Sequence, residues 1–538
     1  MKGKTLSVAE FVTIIVLASV PLFTAFPYRI NIFLSWEGAY RLSQGQLPYK
    51  DFGTPLGGMY WVIPAIFFKL FGPQLITLVK AQVFINIISG ISFRAILKNL
   101  QLNPGIRFVS VLLFCISYSF FNFWPWYNHT VIVYELVALA FLFAHIRHQQ
   151  EKKSFLHLMA AGLFTVFSFL TKQDGGGMTL LICFAILAYT GIVEKKWKGL
   201  LIYISSFALI FLLIILPFIN HGFGYWFNHG QAPHTARISV LDISNEFFAA
   251  SQWIKFYLFL MVLFLSIRYK SWMAFFNDRQ MVLFSLFTLA ILAEAAIFQV
   301  TSYIPPDNNI FFHSFAIAFL LRAVPAPTAI KFESKKMVLA CTAGVLLWWS
   351  GVYWKYIQRI VDKGGPVQTV SKTGENIVNK STYLINNDTL DVPVHKWVYS
   401  KLPAFKKISM PPQTAAGIDR LMQMDIIRNG KNLKILNMSE LTPLAAEIPY
   451  ELEQNGELPL WYHLGVGMFN KQAEIYENRI KNNFYDLVLF EYMPRNNNFY
   501  PFRVRDTLRN NYQLIDSFNA PRRGDGESFI EIYVPRAH

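Results

Sequence analysis

Two carboxylates, Glu37 and Asp51, follow the first apolar run of the chain, in SWEGAYRLSQGQLPYKDFGTPLGGMYWVIPAIFFKLFG. A carboxylate of ordinary pKa, about 4.3 for Glu, is ionised at neutral pH. It can take the proton of a hydroxyl as that hydroxyl becomes a nucleophile. Glu37 stands between Trp36 and Gly38 and one helical turn before Arg41, so the structural alternative is an ion pair along a helix. Asp51 lies in PYKDF, between Pro48 and Gly53, where an Asp also serves to shape a turn or cap a helix. As chemistry it is a second acid that orients an acceptor or holds a divalent cation. The sequence demands no cofactor beyond that possible cation.

A second set of residues is suited to phosphate or sugar. TKQDGGG places Lys172, Gln173 and Asp174 before three glycines, which let backbone approach an anion closely while the lysine acts as a point charge. Lys172 and Lys80 both fall at the ends of apolar runs, so each is a phosphate contact or a snorkelling side chain. FGYWFNHGQAPHTARIS gathers His234 and Arg237 with aromatic residues. Its two histidines are five apart with no carboxylate beside them, which disfavours a metal and favours phosphate or sugar contact by Arg237. TSYIPPDNNIFFHS adds Tyr303 and His313. Glu135 and Glu294 fall in the middle of apolar runs, where a carboxyl faces a cavity or a partner.

The elements that hold these residues are set by composition. Of 538 residues, 54% are hydrophobic and 15% charged, against about 25% charged in soluble domains. Apolar runs of near-spanning length recur to about residue 355, which makes this a polytopic α-helical membrane protein. The formal charge of +16 does not mark nucleic-acid binding, because the basic residues cluster in short loops between apolar runs. The three cysteines lie inside such runs and read as small core residues.

Spans are expected at 9–28, 75–97, 106–124, 127–146, 154–171, 176–193, 199–219, 252–268, 280–300, 308–324 and 337–355. With these eleven, the basic loops all fall on one side, which is then cytoplasmic, as is the N-terminus. Residues 55–71 are apolar, but counting them as a span would turn every later basic loop outward. They are expected to form an interfacial helix on the outer face. The chain divides into a transmembrane region, 1–355, and an extracytoplasmic α/β domain, 356–538. The latter is polar and mixed in charge, with short strand-like runs.

The first outer loop resembles that of the GT-C superfamily of membrane glycosyltransferases, specifically the bacterial relatives of dolichyl-phosphate-mannose-protein mannosyltransferases. The matching features are an acid after span one (Glu37, with Trp36 where the first acid of the usual pair stands) and Gly45-Gln-Leu-Pro48-Tyr49-Lys50-Asp51. An apolar helix over 55–71 closed by Gly72 completes the match. The resemblance implies an inverting enzyme in the bacterial inner (plasma) membrane, with a periplasmic or extracellular C-terminal domain. Such an enzyme takes sugar from a polyprenyl-phosphate donor and gives it to a lipid, glycan or protein acceptor, with membrane lipid around it and no nucleic-acid partner. It implies Glu37 and Asp51 as catalytic residues. Lys172, Arg237, Lys80 and His313 would contact donor phosphate, Gln173, Tyr303 and His234 would contact substrate, and no residue would hold a metal. The competing reading is a lipid or polysaccharide transporter without covalent chemistry, in which Glu135 and Glu294 matter more than Glu37.

Overall fold

The computed structural model describes residues 3–28, 32–117, 120–221, 223–230, 240–302, 310–324, 332–348, 392, 396–448, 450–460, 462, 466–494, 500–521 and 528–536. The expected boundary at 355/356 lies outside them.

Helices α1 (Gly3–Phe23), α4 (Leu75–Asn99), α5 (Pro104–Cys115), α6 (Tyr127–Arg147), α7 (Ser154–Phe169), α8 (Gln173–Glu194) and α9 (Lys198–Ile215) form the first part of a bundle. They are followed by α10 (Val240–Asn245), α11 (Gln252–Arg268), α12 (Trp272–Asn277), α13 (Arg279–Ser302), α14 (Ile310–Ala323) and α15 (Lys335–Trp348). Each of the eleven expected spans overlaps a helix, although α5 ends at Cys115 and the last is described only as far as Trp348. Six, namely α1, α4, α6, α8, α9 with its continuation to Phe218, and α13, are long and apolar enough to cross a bilayer. A seventh arises if the bent pair Val240–Phe248 and Gln252–Arg268 makes one span. The remaining expected positions, at α5, α7, α14 and α15, hold helices of 12, 16, 14 and 14 residues.

One end of the bundle is fastened by charge. Glu10 of α1 is fully buried and accepts from Arg94 Nε of α4 at 2.6 Å and Arg107 Nε of α5 at 2.7 Å. Removing one member of such a buried cluster strands the others, so it locks three helices at the basic end.

At the other end the chain leaves α1 through a two-residue strand, β1 (Phe26–Pro27), and forms α2 (Ile32–Ser43), β2 (Phe52–Gly53) and α3 (Met59–Phe71). With 13 residues, α3 is about 20 Å long, short of the ~30 Å apolar core of a bilayer. It buries Tyr60, Trp61 and Phe68 against the protein and exposes Ile66, Leu70 and Phe71.

The C-terminal region carries β3 (Val398–Tyr399), β4 (Ile408–Met410), β5 (Ile435–Met438), β6 (Asn455–Pro459), β7 (Leu487–Tyr492), β8 (Tyr512–Asn519) and β9 (Phe529–Pro535). The main sheet has order β5-β7-β9-β8, with β5 parallel to β7 and the other pairs antiparallel. Side chains alternate across β7 with the period of two that a strand imposes. Val488 and Phe490 pack with Tyr476, Ile480, Val504 and Leu508 of the two helices Phe469–Lys481 and Phe502–Asn511. Leu487 and Leu489 turn to the opposite face and share one core with Trp36, Trp61, Leu75 and Leu113. Two more pairings stitch the first loop to this region. β1 runs parallel to β4 (Phe26 opposite Ile408), and β2 runs parallel to β6 (Phe52 opposite Asn455).

Candidate active site

Glu37 sits at the junction of α2, the bundle and the C-terminal region. Its neighbour Trp36 is fully buried, donates Nε1–H to the carbonyl of Pro73 at 3.0 Å and stacks on Tyr40 at 4.6 Å. A tryptophan here ties α2 to the start of α4. The next residue, Gly38, lies against the Trp61 indole, and a Cβ there would come within 2.0 Å of the ring. Glu37 is thereby held in place from both flanks.

The Glu37 carboxylate accepts from Arg41 (Nη2 at 2.8 Å, Nε at 2.9 Å). Arg41 Nη1 in turn donates to Gln46 Oε1 and to the carbonyl of Glu453, both at 2.9 Å. Gln46 Nε2 donates to the carbonyl of Leu452. The C-terminal region thus sets the arginine that sets the acid. Burial pushes the Glu37 carboxyl above the ordinary range, and the Arg41 cation works against that shift.

Glu37 also borders a small enclosed cavity, lined from the C-terminal region by Asn437, Ser439, Thr442, Tyr462 and Tyr500. An amide, hydroxyls and aromatic faces around a carboxylate are groups that recognise a hydroxylated molecule. The Thr442 hydroxyl is buried without a hydrogen-bond partner among the described residues. None of these five carries a signal in the sequence. They reach Glu37 only through pairing across roughly 400 positions.

Asp51 is engaged differently. Its Oδ2 accepts from the backbone N–H of Leu47 at 2.7 Å, closing the turn that leads into β2, while its carbonyl accepts from Asn455 N–H. Its carboxylate performs the turn-forming part of the two readings given above.

Lys172 stands between α7 and α8, in extended conformation just before Gln173. Its ammonium is 2.8 Å from Asp174 Oδ2 and 4.9 Å from the centre of the Phe298 ring. Burial pushes the ammonium downward from its ordinary range, and Asp174 opposes that. Gln173 Nε2 donates to the carbonyl of Trp226. The first loop rests directly on this turn. Gly57 N–H donates to Thr171 O at 3.2 Å and Met59 N–H to Leu170 O at 3.3 Å. A Cβ at Gly57 would lie 1.6 Å from Leu170 O, so only glycine permits the approach.

Lys80 lies over the Phe71 ring at 4.6 Å, at the far end of α3. His313 lies against Trp253, tilted by 40° with ring centres 4.2 Å apart, and its Nδ1 is 3.0 Å from Tyr257 Oη. Arg237, His234 and Tyr303 lie outside the described residues. Glu135 of α6 and Glu294 of α13 are both buried, and neither carboxyl has a hydrogen-bond partner among the described residues. Among the described residues no three His, Cys, Asp or Glu side chains converge as a metal site would require.

The chain aligns with the crystal structure of ArnT from Cupriavidus metallidurans in the apo state over 98% of both chains, with TM-score 0.52 and 10% identity. It has the GT-C fold. A second ArnT structure from the same organism, bound to undecaprenyl phosphate, aligns over 97% of both chains at 11% identity with TM-score 0.49. The Archaeoglobus fulgidus oligosaccharyltransferase in complex with Zn and sulfate aligns over 66% of this chain and 54% of its own, at 11% identity and TM-score 0.39. No family model and no curated protein sequence matches the chain. At such identity the likeness is one of fold, and residue roles rest on the chain's own geometry. Within this GT-C fold, the first loop, α3 and the C-terminal sheet close together over one end of the bundle, with Glu37 at their meeting point.

Proposed function

We propose that the chain is an inverting glycosyltransferase of the bacterial inner membrane. It moves a sugar from a polyprenyl-phosphate donor to a lipid, glycan or protein acceptor on the outer face. The observation that carries this reading is Glu37: a buried carboxylate in the first loop, oriented by Arg41 and bordering a cavity of amide, hydroxyl and phenol groups. The GT-C fold and the motif resemblance of the loop support it.

In this reading an acceptor hydroxyl enters the cavity and gives its proton to Glu37 as its oxygen attacks C1 of the sugar. The bond from C1 to the phosphate oxygen breaks, and the electron pair leaves with the polyprenyl phosphate. Attack from the side opposite the leaving group inverts C1. Lys172 holds the donor phosphate by its positive charge, before the transition state as well as in it, once Asp174 yields the ammonium. Lys80 and His313, with Arg237, His234 and Tyr303, are further donor and substrate contacts of the proposal, and Asp51 supports the loop that carries the acid. The N-terminus and basic loops are cytoplasmic, and residues 356–538 are extracytoplasmic.

The test is transfer by the purified full chain in detergent, with undecaprenyl-phosphate sugars labelled in the sugar and a panel of membrane-extract acceptors. Labelled product of inverted configuration, with release of undecaprenyl phosphate, is expected. Movement of intact donor across a vesicle bilayer without such release would overturn the reading and favour transport.

A further inference from the structure

At the basic end of the bundle, far along the chain from Glu37, an amphipathic cavity opens between four helices. It is formed by the C-terminal ends of α4, α6 and α8 and the first turn of α13, and has a volume of about 250 Å³. Phe143 and Leu283 give it apolar walls, and Arg147 and Arg279 line it with positive charge. One wall is fixed by Gln280, whose Nε2 donates to Leu100 O at 3.0 Å, joining α13 to the end of α4.

The two arginines differ from the others at this end. Arg94 and Arg107 are consumed by Glu10, whereas neither Arg147 nor Arg279 has an ion pair or hydrogen bond from its guanidinium among the described residues. Glu194 also lines the cavity and leaves a net charge of one positive. Lys98, Lys195 and Lys196 stand within two residues of the lining and add to the positive field, with Asp278 beside Arg279 opposing them.

We infer that this cavity binds the phosphate of an anionic phospholipid of the basic-side leaflet. Two guanidiniums grip the phosphate oxygens with charge-assisted hydrogen bonds, and the apolar walls take the glycerol and the first methylenes of the chains. A free phosphate offers the same charge but leaves the apolar walls bare, which is why the lipid is the favoured source. The site is independent of the transfer chemistry proposed above.

The full chain in detergent, titrated with phosphatidylglycerol or phosphatidylcholine of matched chains and read by native mass spectrometry, tests this. Wild type should bind phosphatidylglycerol at least tenfold more tightly than phosphatidylcholine. Arg147→Gln and Arg279→Gln should each weaken phosphatidylglycerol about tenfold, the effect of losing one charge-assisted hydrogen bond. Both should unfold at the wild-type temperature without lipid, since neither arginine is used internally. Leu283→Trp, which fills the cavity and spares the charges, should also lose the lipid. Equal binding of the two lipids by wild type would overturn the assignment, as would undiminished phosphatidylglycerol binding in the double arginine variant. Retention by Leu283→Trp would place the lipid on the surface and overturn the cavity. Displacement by an equal concentration of glycerol 3-phosphate would assign the site to soluble phosphate instead.

Discussion

Replacing Glu37 by Gln removes the negative charge and keeps the shape. The amide oxygen still accepts from Arg41, which retains its bonds to Gln46 and to the Glu453 carbonyl. The fold should therefore lose no more than one charged hydrogen bond's difference, about 1.5–3 kcal/mol. The rate should suffer far more. Loss of a general base costs a factor of roughly 10² to 10⁴. At 1.36 kcal/mol per tenfold this adds about 2.7–5.4 kcal/mol to the barrier. The two effects separate in one preparation: thermal unfolding reports the first, and initial rates of release of labelled undecaprenyl phosphate report the second. The pH profile adds a further check. Burial raises the Glu37 carboxyl, so kcat/KM should fall on the acid side at a pH above the ordinary glutamate range, as the base becomes protonated. Arg41→Met takes away the cation that opposes the shift, so the acid limb should move to higher pH and activity should be partly restored by alkali. Turnover of Glu37→Gln within threefold of wild type in a folded protein, or an Arg41→Met limb that moves down, would refute the assignment.

Asp51→Asn keeps an acceptor for Leu47 N–H and should retain most activity, whereas Asp51→Ala should cost about 1 kcal/mol of stability by denaturant titration; a tenfold rate loss in the Asn variant would give Asp51 a chemical part. Lys172→Met combined with Asp174→Asn removes the ion pair without stranding either charge, and should raise the KM for donor at least tenfold with kcat less changed; an unaltered KM would remove Lys172 from donor binding. Gly57→Ala forces a methyl against Leu170 O and should destabilise by about 1–3 kcal/mol and loosen the first loop, seen as faster proteolysis there; wild-type stability would contradict the contact. Cysteine at the exposed Glu474 should react with an impermeant thiol reagent on intact spheroplasts, and labelling only after the membrane is opened would reverse the topology.

Much of this was legible in the sequence because it is local. The apolar runs mark the long helices of the bundle, and the alternation of basic loops, with Gly57, Gly58, Pro64 and Lys69, argues that residues 55–71 do not cross. Glu37 was visible through its place after the first run, and Arg41 through the four-residue spacing of a helix. What stayed hidden is what depends on distant pairing. Nothing near Asn437, Tyr462 or Tyr500 announces that they surround Glu37, since the contact arises from sheet pairing between segments far apart in the chain. Asp51 shows the opposite limit. A turn-forming Asp and a catalytic Asp share the same local sequence, and the bond from Leu47 N–H, which shows the turn, could not be read from it. Glu135 and Glu294 were each conspicuous in mid-run, but that both carboxyls are buried follows from how the helices pack, which periodicity does not reveal.

The parallel pairing of β1 with β4 has a bearing on biogenesis. Phe26 is among the first residues made, and its partner Ile408 emerges 382 positions later. At roughly 5–20 residues per second the ribosome needs about 20–80 s to deliver it. Throughout that interval the first loop exists with its strand edges uncovered and Arg41 without the Glu453 carbonyl, and the lipid or a chaperone must shield it. Glu37 is thus among the earliest residues synthesised, and its Arg41 partner is among the last to be set. A nascent chain arrested before residue 408 would have made α1 to α15 and still lack both strands that pair with its first loop.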